Sequence, residues 1–155
     1  MTLKRQHLSA LTPLPPGWTV ENSQQAVPHS SSTTTRYSDG CAVAHYSRKN
    51  GIVPEPLILI IRGRNALLFG EATPACGKYR VRVDGGEPML HDAGAMAKNG
   101  ALRFVQMIAQ DLQPGTEHRI EIYPDLKPGQ ELRLESICMA IGGADDLPPV
   151  LQYPH

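Results

Sequence analysis

The chain is poor in aromatic rings and carries no surplus of either charge. Aromatic residues make up 5% of its 155 positions, with one Trp and two Phe, and fifteen basic side chains cancel fifteen acidic ones. Without a global basic field there is no long-range attraction for nucleic acid or for an anionic membrane. Three cysteines, Cys41, Cys76 and Cys138, cannot all pair with one another. Their wide spacing holds no CxxC or His/Cys pattern, which argues against a structural zinc site; one disulfide with a free thiol, or three buried thiols, both fit. No apolar run reaches the length of a membrane span, and the start Met1-Thr-Leu-Lys-Arg-Gln-His7 leads into no apolar signal core. A soluble form is expected, with a leader removed earlier left open. No solenoid or propeller repeat is present.

Turn residues are what the chain has in quantity. Fourteen Gly and fourteen Pro, beside 41% hydrophobic and 19% charged residues, describe a globular chain of short strands. Its length suits one domain with a substantial core and is short for two. The clearest local signal is Gly77-Lys78-Tyr79-Arg80-Val81-Arg82-Val83-Asp84-Gly85-Gly86. Tyr79, Val81 and Val83 share one parity and Lys78, Arg80, Arg82 and Asp84 the other, the pattern of a strand with one buried and one wet face. Asp84-Gly85 then supplies a turn whose positive φ angles suit Asp and Gly. Arg80 and Arg82, with Arg62-Gly63-Arg64, make at most a local basic patch. A solvated strand face is the simpler reading, so no nucleic-acid partner is expected.

Residues 1–40 read as an irregular arm and loop. Pro13, Pro15, Pro16 and Gly17 surround Trp18, and five Ser with three Thr lie between Glu21 and Gly40. Regular structure is expected from Cys41, in a domain over 41–143, with 144–155 as a linker or tail. Cys41–Tyr46 reads as a short strand. Leu57-Ile-Leu-Ile-Ile61, bounded by Pro56 and Gly63, reads as a strand covered on both faces. Asn65–Phe69 follows. Ala93–Leu112 is ambiguous, because its composition favours helix while Gly94, Asn99 and Gly100 interrupt one; a strand over Leu102–Ala109 is expected, with a short helix as the alternative. His118, Ile120 and Ile122 alternate in a further strand. In the last strand Leu132 and Leu134 hold one parity and Ile137, Met139 and Ile141 the other, which requires a bulge near Glu135-Ser136 or a centre buried on both sides. Seven or eight short strands of this kind make an all-β fold, a two-sheet antiparallel β-sandwich.

An apolar strand running into Gly63, then Leu67-Leu68-Phe69-Gly70, the strand and turn from Gly77 to Gly85, Leu112-Gln-Pro-Gly-Thr-Glu-His118 before Arg119-Ile-Glu-Ile122, and Leu132-Arg-Leu-Glu-Ser-Ile137 form a series. Together they resemble the galactose-binding-like jelly roll, especially the accessory sandwich found beside SGNH (GDSL-type) esterase and lipase domains. The resemblance covers a little over half the chain. It implies a carbohydrate-binding or spacer module, with a glycan ligand or an adjacent catalytic domain as partner and a secreted or periplasmic location. The chain departs from the esterases themselves: it has no Gly-Asp-Ser nucleophile block and no Asp-x-x-His near its C-terminus. The resemblance therefore implies a non-catalytic part, and Gly142–Pro149 before Tyr153-Pro154-His155 reads as a domain boundary. A structural or self-associating sandwich subunit is the alternative, and a small hydrolase with Cys41 or Ser38 as nucleophile is a third, lower-ranked reading.

Sugar recognition needs a flat ring against the C–H face of a pyranose and polar groups on its hydroxyls. The ligand-binding candidates are Tyr37, Asp39, His45, Tyr46, Arg62, Arg64 and His118. Trp18 also qualifies by chemistry, but beside Pro15-Pro16-Gly17 it reads more simply as a hydrophobic plug. For His118 the simpler reading is a strand-end histidine bonded to a loop carbonyl. Cys41 and His45 could form a thiolate–imidazole pair, yet at i and i+4 of an extended strand they stand roughly 13 Å apart. A buried structural Cys is the simpler reading; Ser38 is the other nucleophile considered. Glu87, His91 and Asp92 have no diagnostic metal spacing, and Asp39 with Asp145-Asp146 makes no calcium loop. No catalytic residue, metal or other cofactor is expected.

Overall fold

Alternation along the strands sorts the apolar side chains onto two facing surfaces. In the computed structural model, which describes residues 2–23, 40–98 and 103–152, these surfaces are the inner faces of a two-sheet antiparallel β-sandwich. One inner face carries Ala42 and Ala44 of β3 (Cys41–His45), Leu68 of β5 (Asn65–Glu71) and Leu132, Leu134, Ile137 and Met139 of β10 (Glu131–Ile141). The other carries Leu57, Leu59 and Ile61 of β4 (Leu57–Ile61), Tyr79 and Val81 of β6 (Lys78–Val83), and Ile120 and Ile122 of β9 (His118–Asp125). All are buried, and their removal from water is the main stabilising term. Among the described residues no helix is long and apolar enough to cross a membrane.

Sheet A runs β2 (Trp18–Glu21), β3, β10, β5, β8 (Arg103–Ala109), with β1 (Thr2–His7) also paired to β10. Sheet B runs β11 (Val150–Gln152), β4, β9, β6, β7 (Met89–Asp92). The 11-residue β10 is the long axis of sheet A: β3 pairs with its first part, β1 with its second, and β5 with nearly all of it on the other side. Its register against β5 shifts between Leu134 and Ser136. That bulge is the one the change of hydrophobic parity requires, and it lets Leu134 and Ile137 both face the core. The outer face of the same stretch is buried as well, at Arg133, Glu135 and Ser136. At the Asp84-Gly85 turn φ is +51° and +75°, as its residues demand.

The expected strand over Leu102–Ala109 is present as β8, and the competing helix also exists, as α1 (Ala93–Lys98) just before it. The expectation that regular structure begins near Cys41 is corrected: it begins at Thr2. β1 lies in register along β10 from Thr2 opposite Ile141 to His7 opposite Ser136, and β2 pairs with β3. β1 has no apolar alternation, because Thr2, Leu3, Arg5 and His7 are all exposed on an edge position. Its place is fixed by backbone pairing, which leaves no hydrophobic signature. Trp18 is buried in the core, and its indole N–H donates to the Glu55 carbonyl at 2.7 Å. Cys41, Cys76 and Cys138 are all free thiols.

Gly70 of β5 marks the tightest approach in sheet A. A Cβ there would lie 2.4 Å from ring carbons of Phe104 and 2.5 Å from the Arg133 carbonyl oxygen. Neither the core ring nor the ladder carbonyl can retreat without disturbing packing. Gly70→Ala is therefore expected to destabilise the fold by about 1–3 kcal/mol in urea unfolding. An unchanged midpoint would show that this contact is soft.

Candidate functional site

Strand alternation sends Leu132 and Leu134 into the core and Arg133 to the outer face of sheet A. There its guanidinium is buried, at 1% exposure, and ties four segments together. Nε donates to Glu71 Oε1 at 3.0 Å, Nη2 donates to the Asn22 carbonyl at 2.8 Å, and Nη1 lies 3.4 Å from Glu21 Oε1 and 3.6 Å from Glu131 Oε2. Glu71 is fully buried and also accepts from the Ser23 hydroxyl and, at 3.4 Å, from the Cys41 thiol. Thr73 donates to Glu131 at 3.0 Å. Burial by itself would weaken the Arg133 charge, but the Glu71 hydrogen bond and the Glu131 and Glu71 carboxylates raise its pKa above the ordinary value. Buried ions persist only when paired and hydrogen-bonded in this way.

His45 closes β3 at the exposed margin of this cluster. Its Nε2 donates to Glu21, and Nδ1 stands 3.8 Å from Glu131 Oε1. Burial tends to raise the Glu21 pKa, and the bonds from His45 and Thr19 reverse it, so the carboxyl titrates below its usual range. The side chains of His45 and Glu21 remain 41% and 34% exposed. Tyr46 follows, half-buried, held by its N–H to the Gln130 carbonyl at 3.1 Å and by its own carbonyl, which accepts from Gly129 N–H at 2.7 Å. Cys41 lies on this face, but burial and the neighbouring Glu71 charge push its thiol far up. Burial raises Cys76 as well. A nucleophilic thiol requires the opposite shift.

Arg62, Arg64 and His118 occupy the other end of the sandwich. β10 spans the two: Glu131 pairs with His45, while the carbonyl of Ala140 accepts from the Arg64 N–H at 2.9 Å. Nine residues of strand put roughly 30 Å between these points, so the sequence candidates do not form one site. Arg62 donates through Nη1 to the Gly115 carbonyl at 3.1 Å, and Gly115 N–H donates to the buried Asp145 at 2.6 Å. The Arg64 side chain is exposed. His118 has each ring nitrogen 2.6 Å from an acceptor, Nδ1 from Asp84 Oδ2 and Nε2 from the Gln113 carbonyl. Both partners can only accept, an arrangement that favours the imidazolium, in which both nitrogens donate. Burial opposes that charge, but the Gln113 and Asp84 bonds prevail and raise the pKa. Tyr37 and Asp39, like Ser38, lie outside the described residues.

Glu21, Glu71, Glu131 and Arg133 are the site residues that sequence reading missed. Glu131-Leu-Arg-Leu-Glu135 alternates as a solvated strand would. The one usable hint was the shift in parity, which allowed a centre buried on both faces.

Two outcomes follow. Arg133→Met, which removes a charged partner of buried Glu71, is expected to cost about 3–5 kcal/mol in urea unfolding. Adding Glu71→Gln should recover part of that loss; a double variant no better than the single one would detach Glu71 from the effect. For His118, the folded pKa lies above the ordinary 6.5. Its stabilising contribution is complete below pH 6.5 and fades as pH climbs through the raised value. An NMR titration of His118 should show a midpoint above 6.5 that falls in Asp84→Asn; a midpoint at or below 6.5 in the parent would contradict the imidazolium.

No family model and no curated protein matches the chain. Solved structures do. A family two carbohydrate esterase from Cellvibrio japonicus matches 91% of this chain and 34% of its own, at 13% identity and a TM-score of 0.58. An acetyl xylan esterase from the rumen bacterium Butyrivibrio proteoclasticus matches 90% and 32%, at 7% identity and a TM-score of 0.45. A Podospora anserina GH26-CBM35 β-(1,4)-mannanase matches 99% and 28%, at 13% identity and a TM-score of 0.43. The chain thus spans about a third of the length of each. At these identities the likeness is one of fold, carried by the first of the three: a two-sheet β-sandwich.

Proposed function

We propose that this chain is a non-catalytic accessory module of a carbohydrate-active enzyme, and that it binds glycan at the His45 end of sheet A. The observation that carries the reading is the half-exposed His45–Glu21 pair, set over buried Arg133 and followed in the chain by Tyr46. Donors and acceptors held rigidly at a surface suit sugar hydroxyls, since little ordering cost remains on binding. The fold likeness supports the accessory role, because 91% of this chain corresponds to 34% of the Cellvibrio esterase. The raised thiol pKa values of Cys41 and Cys76 speak against cysteine chemistry. In its finer form the proposal is a galactose-binding-like jelly roll of the kind that accompanies SGNH/GDSL-type esterases and lipases. Arg62 and His118 are weaker candidates, since loop carbonyls and Asp84 already take their hydrogen bonds.

A docking or assembly role has its own observation. Val105 and Met107, on the outer face of edge strand β8, are 51% and 44% exposed, and an exposed apolar edge invites association. Light scattering that shows a monomer across a wide concentration range would remove self-association.

Binding is tested by a glycan array followed by calorimetry on the best oligosaccharide. Glu21→Gln and His45→Ala are each expected to weaken it about tenfold, the scale of one charge-assisted hydrogen bond. Tyr37→Ala and Asp39→Ala belong in the same series, and esterase activity should be absent. A flat array, or affinity unchanged in both Glu21→Gln and His45→Ala, would remove glycan binding at this end.

A further inference from the structure

Sheets A and B part along the side where β8 and β7 are their free edges. A cleft of about 590 Å³ opens there, a size ordinary for small-molecule sites. Val81 and Val83 line it from sheet B, Ile108 and Leu112 from the chain of β8 and beyond, and Met89, opposite Val81 in register, also borders it. Met89 is well exposed, at 66%. Its unbranched thioether adapts to a guest and makes favourable contacts with aromatic rings.

Two polar groups lie among these apolar walls. His91 is opposite Tyr79 in register, and the two rings stack at 5.2 Å with a tilt of 32°. Among the described residues its imidazole makes no hydrogen bond, and burial holds its pKa below the ordinary value, so one ring nitrogen donates and the other accepts at neutral pH. Gln106, also in the lining, uses its amide N–H only for a 3.3 Å contact with the carbonyl of Met107. Neither group is sealed from the cleft, since neither is among the fully buried unsatisfied atoms. No Lys or Arg lines the cleft, and Glu87 does, which disfavours an anionic guest.

We propose that this inter-sheet cleft binds an uncharged aromatic small molecule, with its ring between the apolar walls and Met89 and its polar substituent on His91 or Gln106. The site is separate from the His45 end and does not depend on glycan binding there. An aromatic ring matches the His91–Tyr79 stack and the Met89 thioether, and a hydroxyl, amine or amide matches the two unspent polar groups.

The test is a fluorescence titration of the full chain with N-phenyl-1-naphthylamine, which is uncharged, aromatic and carries one N–H. Saturable one-to-one enhancement is expected. It should weaken at least tenfold in Met89→Lys, an exposed position that leaves the core intact, and in His91→Phe/Gln106→Leu, with the thermal midpoint checked for each. Amide shifts on adding the probe to the parent chain should fall on Val81–Val83, Met89–His91 and Gln106–Ala109, a readout that needs no variant. No saturation, shifts confined elsewhere, binding unaffected by Met89→Lys, or enhancement that appears only with dimerisation in sedimentation would overturn the proposal.

Discussion

One arginine organises the outer face of sheet A. Arg133 sits in the middle of a strand whose neighbouring leucines fill the core, and its guanidinium is the positive charge on which Glu21, Glu71 and Glu131 converge. Glu71 is fully buried, and its 3.0 Å pair with Arg133 offsets the cost of taking a carboxylate out of water. Through these bonds β10 is joined by side chains to β5, which carries Glu71, and to β2, which carries Glu21, in addition to the ladder hydrogen bonds. The chain beyond β2 is fixed at the same centre by the Asn22 carbonyl.

The bulge in β10 belongs to the same arrangement. With Glu135 as the extra residue, Ser136 is opposite Phe69 while Leu134 is opposite Gly70. Arg5 of β1 then donates to both Ser136 at 2.9 Å and Glu135 at 2.5 Å, and its guanidinium lies 5.1 Å from the Phe69 ring centre. A regular strand would have turned one of those two residues toward the core. The irregularity therefore serves both faces: it keeps Ile137, Met139 and Ile141 inside and supplies acceptors for β1 outside.

The polar chemistry is divided between two ends of the sandwich. At the Asp84 end, hydrogen bonds are spent on holding loops, with His118, Arg62 and Asp145 each engaged by backbone atoms or by a carboxylate. At the His45 end the groups are equally well ordered but still half open to solvent. That difference, and not residue type, separates a structural histidine from a candidate ligand-binding one. The likeness to a carbohydrate esterase is one of fold.

The sequence by itself determined the sandwich. Period-two alternation around Tyr79, Ile120 and Leu134, the buried run Leu57–Ile61, the Asp84-Gly85 turn and the change of parity in β10 were all readable, because each is set by local geometry and by which side chains avoid water. β1, β7 and β11 were not readable, since edge strands this exposed are held by backbone pairing and carry little apolar pattern. Nor was the Arg133 cluster, because Arg, Glu and Ser on the outer parity look the same whether water or other chain covers them. Tertiary structure alone decided which carboxylates share a guanidinium, that His45 and His118 lie at opposite ends, and that the sheets part beside His91. These depend on contacts between residues distant in the chain, for which local alternation carries no information.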